Sequence, residues 1–231
     1  MSNLDFEVLA SEEGPLGMIW LRQRELPSEP GTLIAEIMIN HELLMSSHST
    51  VSERALSTCS LERHPGSDLS ILIGGLGLGY TALEALRPKR VAQVEVVEFL
   101  PQVAHWMRDG RVPLSDELNA DPRFVVTEGD VYARLAAAPT QEHDLILIDV
   151  DHSPDERLGH SNASFYTPAG LALAKLHLAP GGVLGVWSYA ESSPFADALR
   201  AVFQRVDIEQ VTFDNVVTGR RESNWLFIAR D

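Results

Sequence analysis

The sequence predicts an α/β fold in which a mostly parallel, twisted sheet is covered by helices on both faces. Three observations point to it. From Leu69 onward, short apolar runs alternate with helical patterns, as βα units require. A glycine-rich turn joins the first run to an amphipathic segment in LSILIGGLGLGYTALEAL, residues 69–86. Acidic residues then stand at the carboxyl ends of the runs that follow, where open α/β sheets bind ligands.

Each element has a local reason. Met18–Arg22 and Thr32–Ile39 alternate as hairpin strands, and Thr50–Leu61 reads as a helix leading into the main sheet. Strands are expected at Leu69–Ile73, Val91–Val97, Arg123–Thr127, Leu145–Asp149 and Gly182–Trp187, with helices between them. The helix over Phe165–Leu178 has Thr167 to cap it, Pro168 at its first position, and Pro180-Gly181-Gly182 to end it. Ser193 and Pro194 repeat that start ahead of Phe195–Phe203. Val206–Phe213 and Ser223–Ala229 are strand-like and separated only by turn-rich Asp214–Arg221, which predicts a C-terminal antiparallel strand pair at the sheet edge. The expected division is a short N-terminal β extension, residues 1–49, and a Rossmann-like α/β domain, residues 50–231.

Composition narrows the function. With 231 residues and 45% hydrophobic content the chain can bury one large core. A formal charge of −15 and a pI near 4.9 argue against nucleic acid and anionic membrane, since phosphate surfaces call for excess Lys and Arg. Cys59 is the only cysteine, which excludes an intrachain disulfide and a thiolate metal cluster and fits a reducing cytoplasm. Met1–Glu13 lacks a basic segment followed by an apolar core, and no apolar run approaches the roughly 20 residues of a spanning helix. A soluble, cytoplasmic protein is expected.

The glycine spacing selects among nucleotides. Gly74, Gly75, Gly77 and Gly79 follow a buried strand and precede a helix, so backbone amides can approach a ligand closely. Counting from Gly75, the third glycine of G-x-G-x-x-G is replaced by Tyr80, whereas G-x-G-x-G is satisfied. A nicotinamide dinucleotide is therefore disfavoured. Glu98 ends the second strand in VEVVEFLP and can accept both hydroxyl protons of a ribose; Glu95 is its rival within the same strand. Asp130 in EGDVYARL is either a helix N-cap or an acceptor for an adenine amino group.

The fourth strand closes in DLILIDVDHSP with Asp149 and Asp151, two carboxylates able to hold a cationic amine and to take a proton from an attacking nitrogen. Asp151 and His152 read equally as a solvated loop start. A metal site built from these three lacks further spaced ligands, so no metal is expected, and the remaining histidines are scattered. Ser153–Phe165 is long and polar, as lids are, with Tyr166 at its end. Trp187, Ser188 and Tyr189 end the fifth strand and form either an opposite wall or core packing.

The motifs ILIGGLGLG, VEVVEF, EGDVYARL, DLILIDVDHSP and LLMSSHSTVSERAL resemble the spermidine synthase-like (polyamine aminopropyltransferase) family within the Rossmann-like class I S-adenosylmethionine-dependent methyltransferase fold, over roughly Ile37 to Trp187. The resemblance implies ribose at Glu98, adenine at Asp130, the amino acid or aminopropyl end of a sulfonium nucleoside at the glycine turn, and a catalytic role for Asp149. It places His152 where the family has a second aspartate. It also places Gly77 where the family carries an acid that contacts the amine of decarboxylated S-adenosylmethionine. Of the family's acceptor pattern, SHSTVSE retains Glu53, with Ser47 in place of an aspartate and Val51 in place of a tyrosine.

The expected co-substrate is thus S-adenosylmethionine or its decarboxylated form, and the expected partners are a small cationic acceptor held by Glu53, His152, Tyr166 and Tyr189, and a second copy of the chain as a homodimer. Gly77 inclines the reading toward methyl transfer, with aminopropyl transfer as the alternative and a non-catalytic nucleoside-binding protein as a further one.

Overall fold

The computed structural model describes residues 6–150, 153–155, 163–215 and 219–231. Its first part is a four-stranded antiparallel sheet in the order β1 (Phe6–Gly14), β2 (Gly17–Glu25), β3 (Leu33–Ile39), β4 (Glu42–Ser46). The sequence points to only β2 and β3. Strand β1 shows mostly exposed side chains and β4 is five residues long, so neither carries a strong alternation. Inside the sheet Glu36 is buried, and the guanidinium groups of Arg22 and Arg24 each reach one of its carboxylate oxygens at 2.7 Å. Two charge-assisted partners compensate a carboxylate that would otherwise be costly to desolvate.

The larger sheet has seven strands in the order β10-β11-β9-β8-β5-β6-β7. Strands β5 (Leu69–Gly74), β6 (Val91–Glu98), β7 (Phe124–Glu128), β8 (His143–Ile148) and β9 (Leu178–Ser188) are parallel; β11 (Arg220–Arg230) lies antiparallel between β9 and β10 (Arg205–Asn215). The predicted α/β class, the parallel order and the terminal antiparallel pair all appear. Strand β5 pairs with β6 on one side and β8 on the other, so the winding reverses there, and in open sheets of this kind ligands bind outside the carboxyl ends at that point.

Helices cover both faces. One face packs against α1 (Val51–Glu62), α2 (Tyr80–Leu86), α3 (Pro101–Arg108) and α4 (Ser115–Ala120) through residues such as Leu56, Leu83, Trp106 and Leu118. The other packs against α5 (Val131–Ala136), α6 (Pro168–Lys175) and α7 (Ser193–Arg200) through Leu135, Leu171, Phe195 and Leu199. The small sheet joins the first of these cores through Ile19, Leu21 and Ile37. It also docks on α3, where Trp106 Nε1 donates to Glu12 at 2.7 Å and Gln102 Nε2 to the Glu13 carbonyl at 2.8 Å.

Two helix boundaries differ from expectation. Helix α6 starts as predicted, with Thr167 Oγ1 accepting from Gly170 N at 3.1 Å, but it ends at Lys175. Pro180-Gly181-Gly182 lies inside β9, where the pairing with β8 shifts register, because His143 N already donates to His177 O ahead of it. In α7 the cap is Ser192, whose Oγ accepts from Phe195 N at 3.2 Å, which leaves Ser193 and Pro194 inside the first turn.

Candidate active site

The glycine turn sits at the switch point, stitched to both neighbouring strands. Gly75 N donates to Val97 O at 3.0 Å and Asp149 N to Gly74 O at 2.8 Å. Gly75 has φ +95°, and a Cβ there would overlap the carbonyl oxygen of Asp149, so only glycine lets β5 and the end of β8 approach this closely. Gly77 has φ +50°, and a Cβ there would overlap the thioether of Met45 from β4. Gly74 and Gly79 complete the turn ahead of α2.

Glu98 ends β6 beside that turn. It is buried, with Oε2 accepting from Leu76 N and Oε1 from Leu100 N, each at 2.7 Å. Burial raises its pKa, while those amides and the ones of Gly77 and Phe99 pull it down. The carboxylate is therefore fixed in orientation by the amides of the turn and of the residues that follow it. Its rival Glu95 is engaged elsewhere: Arg134 binds it with Nη1 to Oε1 at 2.6 Å and Nη2 to Oε2 at 3.0 Å, and Thr127 adds a third bond. Asp130 is the N-cap of α5, its Oδ1 accepting from Tyr132 N at 2.8 Å and Ala133 N at 3.2 Å.

Asp149 follows β8 across the turn from Glu98. Burial raises its carboxyl to about 6, and the hydroxyl of Thr81, which donates to Oδ2, partly offsets this. Thr81 Oγ1 also lies 3.3 Å from the carbonyl oxygen of Glu53, tying α2 to the first turn of α1. Glu53 itself accepts from Ser52 Oγ at 2.9 Å. Beside it Tyr80 packs its ring under the Arg54 guanidinium, 4.9 Å from the centroid. A carboxyl near 6 beside a crevice wall is suited to taking a proton close to neutral pH.

Tyr166 does not stand alone at a loop end. Its hydroxyl pairs with that of Tyr132 at 2.8 Å, and its ring joins an aromatic row with Phe165 and Phe195 at centroid distances of 5.1 Å. Trp187 is in the core, whereas Tyr189 is exposed. Asp151 and His152 lie outside the described residues, as does the centre of Ser153–Phe165, residues 156–162. The described residues therefore bring together Gly74, Gly75, Gly77, Gly79, Glu98 and Asp149, with Asp130 capping the next helix and Glu53 tied to Thr81. Thr81 and Met45 escape the sequence reading. Thr81 sits two places after the last glycine, a signal that spacing offered; Met45 comes from another sheet and leaves no such trace. Among the described residues no group of three or more His, Cys, Asp or Glu is placed to hold a metal, and no helix is long and apolar enough to cross a membrane.

Comparison with known proteins supplies the context. No family model matches the chain. It is 34% identical over 128 residues to polyamine aminopropyltransferase 2 of Streptomyces coelicolor, covering 53% of this chain and 22% of that protein. It is 33% identical over 128 residues to putrescine N-methyltransferase 2 of Nicotiana tabacum, covering 55% of this chain and 34% of the relative. The match thus spans about a fifth to a third of these relatives' length. Among solved structures, a spermidine synthase in complex with the transition state analogue AdoDATO superposes with a TM-score of 0.75 at 16% identity, over 96% of this chain and 73% of that one. Spermidine synthase from Thermotoga maritima superposes with a TM-score of 0.73 at 17% identity, over 96% and 72%. The chain thus shares the fold of spermidine synthases, an α/β class I methyltransferase-like architecture, and over 128 residues it is similar in sequence to a polyamine aminopropyltransferase and to putrescine N-methyltransferases.

Proposed function

We propose that the chain is a transferase that moves an alkyl group from an S-adenosylmethionine-type sulfonium nucleoside to a polyamine-like amine. One observation carries this: the switch-point crevice presents a buried, oriented Glu98, a turn of positive-φ glycines and an Asp149 carboxyl raised to about 6, all on adjacent strand ends. The residues fit a nucleoside. Glu98 is the acceptor for the ribose hydroxyls, Asp130 offers Oδ2 to the adenine amino group, and the glycine turn holds the donor's tail. The bound donor supplies an electrophilic carbon attached to sulfonium sulfur.

In this scheme Asp149 does the chemistry assigned to the chain. Its charge draws the cationic acceptor, and its carboxylate takes the proton as the amine nitrogen bonds to carbon and the carbon–sulfur bond breaks. Glu53 and Tyr189 are proposed acceptor contacts, with Tyr166 as a wall held by Tyr132.

Between the two transfers, aminopropyl transfer from decarboxylated S-adenosylmethionine is the first reading. Both the aminopropyltransferase relative and the spermidine synthase fold support it, against the inclination that Gly77 gave the sequence reading. Methyl transfer stands second, favoured by Gly77 and by the putrescine N-methyltransferase relative. The deciding experiment supplies putrescine with each donor in turn and weighs the product by mass spectrometry. An aminopropyl adduct supports the first reading, a methyl adduct the second, and no adduct with either donor over a panel of amines removes both.

A further inference from the structure

The glycine turn that would hold the donor's tail is not bare. Met45, from β4 of the N-terminal sheet, places its Sδ 3.1 Å from Leu78 N and accepts that hydrogen bond. The same sulfur fills the space where a side chain on Gly77 would begin. The turn's open flank is thus covered by a neutral, flexible thioether, and one of the turn's amides is already taken. Sulfur is a weak acceptor, and an unbranched side chain with several rotatable bonds repacks readily.

We infer that Met45 is a donor-selectivity residue, a displaceable plug that competes with the tail of the sulfonium nucleoside for the Gly77–Leu78 turn. The inference rests on the donor site proposed above. A ligand that carries adenosine but no tail can use Glu98 and Asp130 without moving Met45. A ligand with an amino acid or aminopropyl tail must break the contact between Met45 and Leu78 and displace the sulfur. The cost of that displacement is subtracted from its affinity alone. The N-terminal sheet therefore does more than extend the fold, because its fourth strand sets how well tailed and tailless nucleosides are told apart.

The test is calorimetry on the full chain with 5′-methylthioadenosine and S-adenosylmethionine, in wild type, Met45→Ala and Met45→Leu, with thermal melting to establish that each variant folds. Removing the plug should raise affinity for S-adenosylmethionine about fivefold, the net worth of one ordinary hydrogen bond, and change that for 5′-methylthioadenosine less than twofold. Met45→Leu keeps the bulk but cannot accept from Leu78 N, so its affinity for S-adenosylmethionine should fall between those of wild type and Met45→Ala, with that for 5′-methylthioadenosine within about twofold of wild type. If Met45→Ala binds both nucleosides as wild type does, or loses affinity for the tailed one, the inference is overturned while the donor site stands. If no protein binds either nucleoside, the donor site itself falls and the inference with it.

Discussion

The hydroxyl of Thr81, in the first turn of α2, donates to Oδ2 of Asp149 beyond the end of β8. This bond joins the helix that follows the glycine turn to the proposed base, and it opposes the burial that raises the carboxyl to about 6. Activity should therefore rise with pH through about 6 as Asp149 ionises. Thr81→Val removes the donor at nearly constant shape and favours the neutral acid, so the acid limb of kcat/KM should move up by about one pH unit. Asp149→Asn should cost about a hundredfold or more and abolish the limb. A limb that stays in place in Thr81→Val would show that the bond does not set the ionisation of Asp149.

The same carboxyl makes a statement about stability. Its folded pKa of about 6 exceeds the ordinary value of 3.8, so between those pH values the native state binds more protons than the unfolded one. By linkage the contribution of Asp149 is most favourable below about pH 4 and is lost as pH rises through about 6. Asp149→Asn should flatten that part of the curve and gain up to about 3 kcal/mol over wild type at neutral pH. Urea midpoints for both proteins at several pH values between 4 and 8 measure it. A wild-type curve that climbs over this interval to the same extent in both would contradict the raised pKa.

Glu98 has two tasks, since the oxygens proposed to meet the ribose also accept from Leu76 N and Leu100 N. Glu98→Gln turns one acceptor into a donor facing an amide donor, at a cost of about 1–3 kcal/mol per mismatched buried group. Stability should fall by that amount and nucleoside affinity roughly tenfold or more. Melting and calorimetry on one preparation separate the two effects. A destabilised variant with unchanged affinity would leave Glu98 a purely structural residue of the turn.

Much of this was legible in the chain because it is written locally. The glycines at 74, 75, 77 and 79, the acids Glu98, Asp130 and Asp149 at or after the ends of β6, β7 and β8, and the threonine and proline opening α6 are short-range signals with direct backbone causes. The sequence reading set Glu98 ahead of its rival Glu95, and the structure adds the pairing of Glu95 with Arg134 on α5, a contact between distant elements that no local pattern announces. Asp130 carried two readings, and its bonds to Tyr132 N and Ala133 N establish the cap. Strands β1 and β4 were missed because β1 leaves most of its side chains exposed and ends in the polar run Ser11–Glu13, and β4 is too short to alternate. The approach of Met45 to Gly77 had no local signature at all, since a contact between two sheets leaves no period in either strand.

The last test concerns charge at the turn. Gly77 has φ +50°, a left-handed conformation that Asp and Asn tolerate better than most residues, and its would-be Cβ meets the flexible end of Met45 rather than backbone. Gly77→Asp and Gly77→Asn thus impose nearly the same strain and differ by one charge. Decarboxylated S-adenosylmethionine ends in an ammonium, whereas intact S-adenosylmethionine carries a carboxylate as well, so an aspartate at 77 attracts the first and repels the second. The affinity ratio of decarboxylated to intact donor should be about tenfold higher in Gly77→Asp than in Gly77→Asn, a difference of about 1.4 kcal/mol between two desolvated charges. The wild-type ratio carries its own information: a preference for the decarboxylated donor favours aminopropyl transfer, and equal or stronger binding of the intact donor favours methyl transfer. Should Asp and Asn give the same ratio in folded protein, the turn does not face the donor's tail, and the placement of that tail at Gly77 is wrong.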